Sequence, residues 1–230
     1  HILGDLADMS TDAATSIKGY IEYMETDMAP RAKASFRLGR EKFEQKLRTN
    51  DGIALGAAKL QAIALRELAE AQEEFRGLAG KLGPDPIAAW HEAKAPHPAP
   101  GGIVPTVRDQ LTELLEFLQR QSILTLSDAE PVVVVPSPDY DRRTPTSLWT
   151  SGPFESRPIR ACYYLAEVNR GWSPERQTEH LREFNDAALW NLSIQDIYPG
   201  RFLYCQHLRR VESKVRKSLL FMPASTIEGW

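Results

Sequence analysis

Helical periodicity dominates both ends of this chain, and its strongest β-like run, Val132-Val133-Val134-Val135, is short and held between Pro131 and Pro136. That placement constrains the fold more than any other feature. A doubly wound α/β domain alternates strands with helices along its length. Here the order is helices, a small β region, then helices. Ile2, Leu6, Met9, Ala13, Ile17, Tyr20, Met24 and Met28 recur at steps of three and four, one stripe on a long helix that Pro30 ends. A polar helix fits Arg40 to Arg48, and a longer one Leu55 to Leu78, closed by Gly80 and Gly83-Pro84. Residues 83–105 are rich in Pro and Gly and predict a loop with a brief helical turn near Ala88 to Glu92. Val104 to Gln121 predicts a further helix, with Val107, Leu111, Leu114, Leu115 and Leu118 on one face.

After Val132–Val135, residues 136–158 read as turns around Leu148-Trp149, and Ala161 to Val168 as a second strand. Ser173-Pro174-Glu175 is a helix start, with a Ser cap, Pro at the first position and an acid in the first turn. That helix is expected to reach Leu192. Two helical stretches follow, Ile194 to Glu212 (interrupted by Pro199-Gly200) and Ser213 to Phe221. The expected fold class is mainly α with a small β-sheet (α+β). It is drawn as one mostly helical domain over 1–230, with 83–105 as a loop and 131–168 as a small β insertion.

Composition closes off several function classes. The 230 residues are 42% hydrophobic and 26% charged with a net charge of −3, which argues against disorder and against nucleic acid as a partner. No apolar run approaches the ~20 residues of a membrane span. Cys162 and Cys205 are too few for a disulfide framework and too far apart for a CxxC site. There is no Gly-rich phosphate loop, dinucleotide fingerprint or nucleophile elbow. His91-Glu92 and His97 superficially suggest a metal pair, but Pro96 forbids one helix carrying both. The basic stretch His207, Arg209, Arg210, Lys214, Arg216 and Lys217 reads as a solvated face. The chain begins at His1 with no export signal and stops at Glu228-Gly229-Trp230, so it reads as a piece of a longer polypeptide, with the compartment leaning to the cytoplasm.

The segment Ile194-Gln195-Asp196-Ile197-Tyr198-Pro199-Gly200-Arg201-Phe202-Leu203 resembles a signature of the bacterial family catalogued as domain of unknown function 885. There the corresponding stretch reads HEAYPGHHLQ, with EGWALY downstream. Other pieces fall in the family's order: Phe36-Arg37-Leu38-Gly39-Arg40-Glu41-Lys42-Phe43, His97-Pro98, Leu124-Thr125-Leu126, Val135-Pro136-Ser137-Pro138, Trp172-Ser173-Pro174-Glu175-Arg176 and Glu228-Gly229-Trp230. The resemblance implies a zincin-like helical scaffold, longer in the family at both ends. It implies a metallopeptidase relation in which two histidines and the downstream glutamate hold zinc, and the glutamate after the first histidine activates water.

Four positions depart from that pattern. Gln195 stands at the first ligand histidine, and an amide oxygen is a poor zinc ligand. Asp196 stands at the general-base position, one methylene short. Arg201 stands at the second ligand, where a permanent cation cannot ligate a metal. Phe202 replaces the adjacent histidine, and Glu228 alone keeps the family's identity. His207, about three helical turns beyond Gln195, cannot substitute. The expectation is therefore no zinc and no other cofactor, although zinc belongs to the family pattern. Arg201 is expected to take the cation's electrostatic place by pairing with Glu228, Asp196 or both.

Three functions follow from this reading. The first is a metallopeptidase-like pseudoenzyme with a decayed site and a binding or structural role, taking a peptide-like ligand in a cleft lined by Tyr163, Tyr164, Tyr198 and Trp230. The second is an active zinc hydrolase completed by a partner chain or missing flanking segments. The third is a helical interaction subunit without a cleft.

Overall fold

The computed structural model describes residues 2–126, 131–141 and 144–229. The N-terminal stripe forms α1, Ile2–Tyr23. A π turn, Met24–Met28, follows, and a short α2, Ala29–Arg31. The sequence places the helix end at Pro30, whereas the helical backbone runs on through it to Arg31. Pro30 sits in the first turn of α2, where its missing N–H and fixed φ are tolerated. No residue of α1 is buried. α3 spans Arg40–Asn50 and α4 Ala57–Ala79. The chain gathers into two compact units, residues 1–46 and 47–230.

In the second unit α5, Pro86–Ala93, starts from an Asp85 cap whose carboxylate accepts from the Ile87 N–H, with Pro86 in the first turn. α6, Ile103–Gln121, carries the core. Ile103, Val107, Leu111, Leu114 and Leu118 repeat at helical steps and are all buried. Each such side chain contributes roughly 1.5–3 kcal/mol when withdrawn from water. Gln110, also buried, hydrogen-bonds Ser193 at 3.2 Å.

Among the described residues the sheet has three strands, β1 (Val133–Pro136), β2 (Thr146–Trp149) and β3 (Cys162–Leu165), in the order β1-β3-β2. β1 runs parallel to β3, and β2 antiparallel to it. The valine run is thus an edge strand, which explains why Pro136 is accepted in it. On the free edge the Val134 carbonyl is met by Arg108, whose Nε and Nη2 donate at 3.2 and 2.7 Å. β2 falls in the stretch whose composition predicts turns. Thr146 and Ser147 give no apolar alternation, and the strand exists because β3 offers a partner, Leu148 facing Tyr163 and Thr146 facing Leu165. Along β3, Tyr163 and Leu165 enter the core, while Tyr164 lies on the other face edge-on to Trp149 at 5.4 Å.

α7, Pro174–Glu183, begins as its sequence predicts, with the Ser173 hydroxyl accepting from the Arg176 N–H. It stops earlier than the apolar pattern suggests. Asn185 caps a new helix, α8 (Asp186–Asp196), by accepting from the Ala188 N–H at 3.0 Å. Leu189 and Ile197, wholly buried, join it to the core that α6 and β3 supply. α9 (Arg201–Leu208), α10 (Lys214–Lys217) and α11 (Ala224–Gly229) complete the chain.

Candidate functional site

The signature segment folds as a tight corner between α8 and α9. α8 ends at Asp196, and α9 starts at Arg201. Between them Gly200 passes so close to the α8 backbone that a β-carbon would overlap the Gln195 carbonyl group. Only glycine fits there. The corner brings Asp196 and Arg201 together, and Gln195 is exposed.

Asp196 is 7% exposed. Its Oδ2 accepts from the Tyr163 hydroxyl at 3.0 Å and from the Thr146 hydroxyl at 2.9 Å. Its Oδ1 lies 3.9 Å from Arg201 Nη1. Arg201 Nη2 donates to Glu228 Oε1 of α11 at 2.5 Å. The pairing expected of Arg201 is therefore present, with Glu228 as the direct partner and Asp196 as the more distant one. Strands β2 and β3 and helices α8, α9 and α11 each contribute one side chain to this group.

The electrostatics follow from burial and charge. The hydrogen bond to Glu228, reinforced by the negative charges of Glu228 and Asp196, pushes the Arg201 guanidinium pKa up. Tyr163 is pushed far above the usual phenol range, chiefly by burial and then by the Asp196 charge. Burial raises the Cys205 thiol, and nearby Arg201 offsets part of that rise.

A cavity of about 340 Å³ opens onto the group, with Thr146, Leu148, Asp196, Arg201, Tyr204 and Ile227 among its walls. The aromatic residues expected along a cleft sit elsewhere. Tyr163 is wholly buried behind Asp196 and reaches the cavity only through that carboxylate. Tyr164 is on the far face of the sheet. Tyr198 is buried against Phe202 and borders a different hollow, beside Arg108 and Val132. Trp230 lies outside the described residues. Thr146 carries no sequence signal of its role, because it belongs to the unpredicted β2. Tyr204 does carry one, since it follows Arg201 by three residues on the same face of α9.

The donor set does not fit zinc. Gln195 offers only an amide oxygen, a poor zinc ligand, and a guanidinium stands beside both carboxylates. Among the described residues no three His, Cys, Asp or Glu side chains cluster closely enough to hold a metal ion. His207 is occupied: its Nε2–H donates to the Thr125 carbonyl at 2.9 Å, since that oxygen can only accept. His97 similarly donates from Nδ1 to the Pro98 carbonyl at 2.9 Å, and His91 packs against Trp90.

The family described as "Bacterial protein of unknown function (DUF885)" matches residues 2–230. A solved structure described as a candidate lipoprotein of unknown function from Shewanella oneidensis is similar, with a TM-score of 0.72 and 24% identity. The similarity covers 97% of this chain and 41% of that one, so this chain spans less than half the length of that protein. That likeness speaks for the fold alone. No curated protein matches the sequence. Among the described residues, no helix is long and apolar enough to cross a membrane.

Proposed function

This chain belongs to the bacterial DUF885 family, and on that premise we propose that it is a metallopeptidase-like homologue in which an internal ion pair has replaced the zinc site. It binds a peptide-like ligand and does not cleave it. The observation that carries this reading is Arg201, which donates to Glu228 and faces Asp196 from the position of the pattern's second ligand histidine. Two carboxylates brought together without a cation repel each other and resist burial. A guanidinium supplies the positive charge permanently and cannot exchange it for a metal. The same substitution leaves no open coordination position at which a water could be activated for hydrolysis. The adjoining cavity, polar at Thr146 and Asp196 and apolar at Leu148 and Ile227, suits a short segment of backbone flanked by a hydrophobic side chain.

The reading is tested by incubating the protein with a mixture of random short peptides in EDTA and identifying retained and cleaved species by mass spectrometry. Retention without cleavage, lost when Ile227→Trp fills the cavity, is the expected result. Cleavage that zinc restores after EDTA would favour a hydrolase completed by residues outside this chain. Neither retention nor cleavage would favour an interaction subunit that uses no cleft.

A further inference from the structure

We propose a second ligand site, separate from the Asp196 corner, that takes a small zwitterion with an apolar side chain, such as a free amino acid or a dipeptide. The site is a cavity of about 460 Å³ between the first turn of α6, the end of β1 and the segment after β3. Val104, Pro105 and Pro136 give it apolar walls, and Glu167, Arg108 and Arg170 give it charges of both signs.

Glu167 carries the inference. Its Oε1 accepts from the Val104 N–H at 2.9 Å and caps α6. Its Oε2 is shielded from solvent and has no hydrogen-bond partner among the described residues, so a ligand meets it as the carboxylate turns toward the cavity that Glu167 lines. A buried carboxylate oxygen left unmet is unfavourable, and the group that meets it best is a cationic donor. The two arginines present the complementary need. Arg108 spends Nε and Nη2 on the Val134 carbonyl, which leaves donors of its five N–H groups unspent. Arg170 is exposed. Among the described residues neither forms an ion pair, and Glu167 is in salt-bridge contact with neither.

A simple anion satisfies the arginines and leaves Oε2 unmet. A simple cation meets Oε2 and is repelled by two guanidiniums. A molecule with an ammonium at one end and a carboxylate at the other answers both, and the apolar walls receive its side chain.

Titration calorimetry with L-leucine and leucyl-leucine tests this and tells the two sources of the zwitterion apart. N-acetyl-L-leucine, which lacks the ammonium, and L-leucinamide, which lacks the carboxylate, complete the series. Saturable binding of one or both zwitterions is expected, at least about tenfold weaker when either charge is removed. Glu167→Gln keeps an oxygen to cap Val104 and is expected to weaken zwitterion binding at least about tenfold while leaving N-acetyl-L-leucine unchanged. Arg170→Ala, at an exposed position, is expected to weaken L-leucine and leave L-leucinamide unchanged, and it carries the test alone if the Glu167 variant fails to fold. The proposal is overturned if neither zwitterion binds up to about 10 mM. It is equally overturned if capped and uncapped forms bind alike, if the variants bind as the parent does, or if inorganic phosphate competes better than either zwitterion.

Discussion

Two corners of residues 47–230 each set a carboxylate and arginine side chains around one cavity, and they settle the charges differently. At the Asp196 corner the chain supplies partners to both carboxylates: two hydroxyls on Asp196 Oδ2, a guanidinium facing its Oδ1, and Glu228 on the guanidinium's far side, while Arg201 Nε is buried without a hydrogen-bond partner among the described residues. At the Glu167 corner one oxygen caps a helix, and among the described residues the other is unmet and the arginines form no salt bridge with it. The first arrangement is closed around an internal cation. The second leaves one shielded carboxylate oxygen without an internal one. The comparison separates residues that hold the structure from residues that await a ligand, and stability measurements divide them.

The largest effect is expected at Gly200. A β-carbon there overlaps backbone, which cannot swing aside as a side chain would. Gly200→Ala should lose more than about 3 kcal/mol in urea denaturation. A loss below about 1 kcal/mol would mean that the corner is not tightly set. Next, Asp196→Ala strands the buried Tyr163 hydroxyl and removes one of Arg201's two partners, for a loss of about 2–3 kcal/mol. Glu167→Ala removes only a cap, worth about 1 kcal/mol. Equal losses at the two positions would erase the contrast between the corners.

Tyr163 offers a pH test. Its phenol ionises near the ordinary value of 10.0 in the unfolded chain and well above it in the fold. The folded state therefore binds more protons above pH 10, and stability falls as pH rises from there. Tyr163→Phe should cost about 1 kcal/mol near neutrality. That deficit should shrink in urea midpoints taken at pH 10 and above; a constant deficit across the series would contradict the buried, proton-holding phenol. The smallest effect belongs to Glu228→Gln. This carboxylate is half exposed, and its pairing is open to screening by salt, so a change below about 1 kcal/mol is expected, shrinking further at high ionic strength.

The legibility of the sequence varied with how locally each feature is determined. α6 was readable because its stripe, Val107 to Leu118, is both periodic and buried. α1 shows an equally regular stripe and buries none of it, so periodicity names a face without naming what it meets. The break at Asn185 was hidden because Leu181, Phe184 and Ala188 keep helical spacing across it, although Asn before Asp is a cap signal. β2 and Thr146 were unreadable, since their structure is conferred by β3. The Arg201–Glu228 pair was readable only through the family resemblance: 27 residues separate the two, and no local rule joins them. The open oxygen of Glu167 had no sequence signal at all.

Zinc content tests the central claim most directly. The purified protein is dialysed against trace zinc, and bound metal is counted by elemental mass spectrometry, in the parent and in Arg201→His. With Arg201 standing in the cation's place, the parent should retain well below one equivalent. One firmly bound zinc per chain in the parent would contradict the account, because a metal could not share the Asp196 corner with that guanidinium.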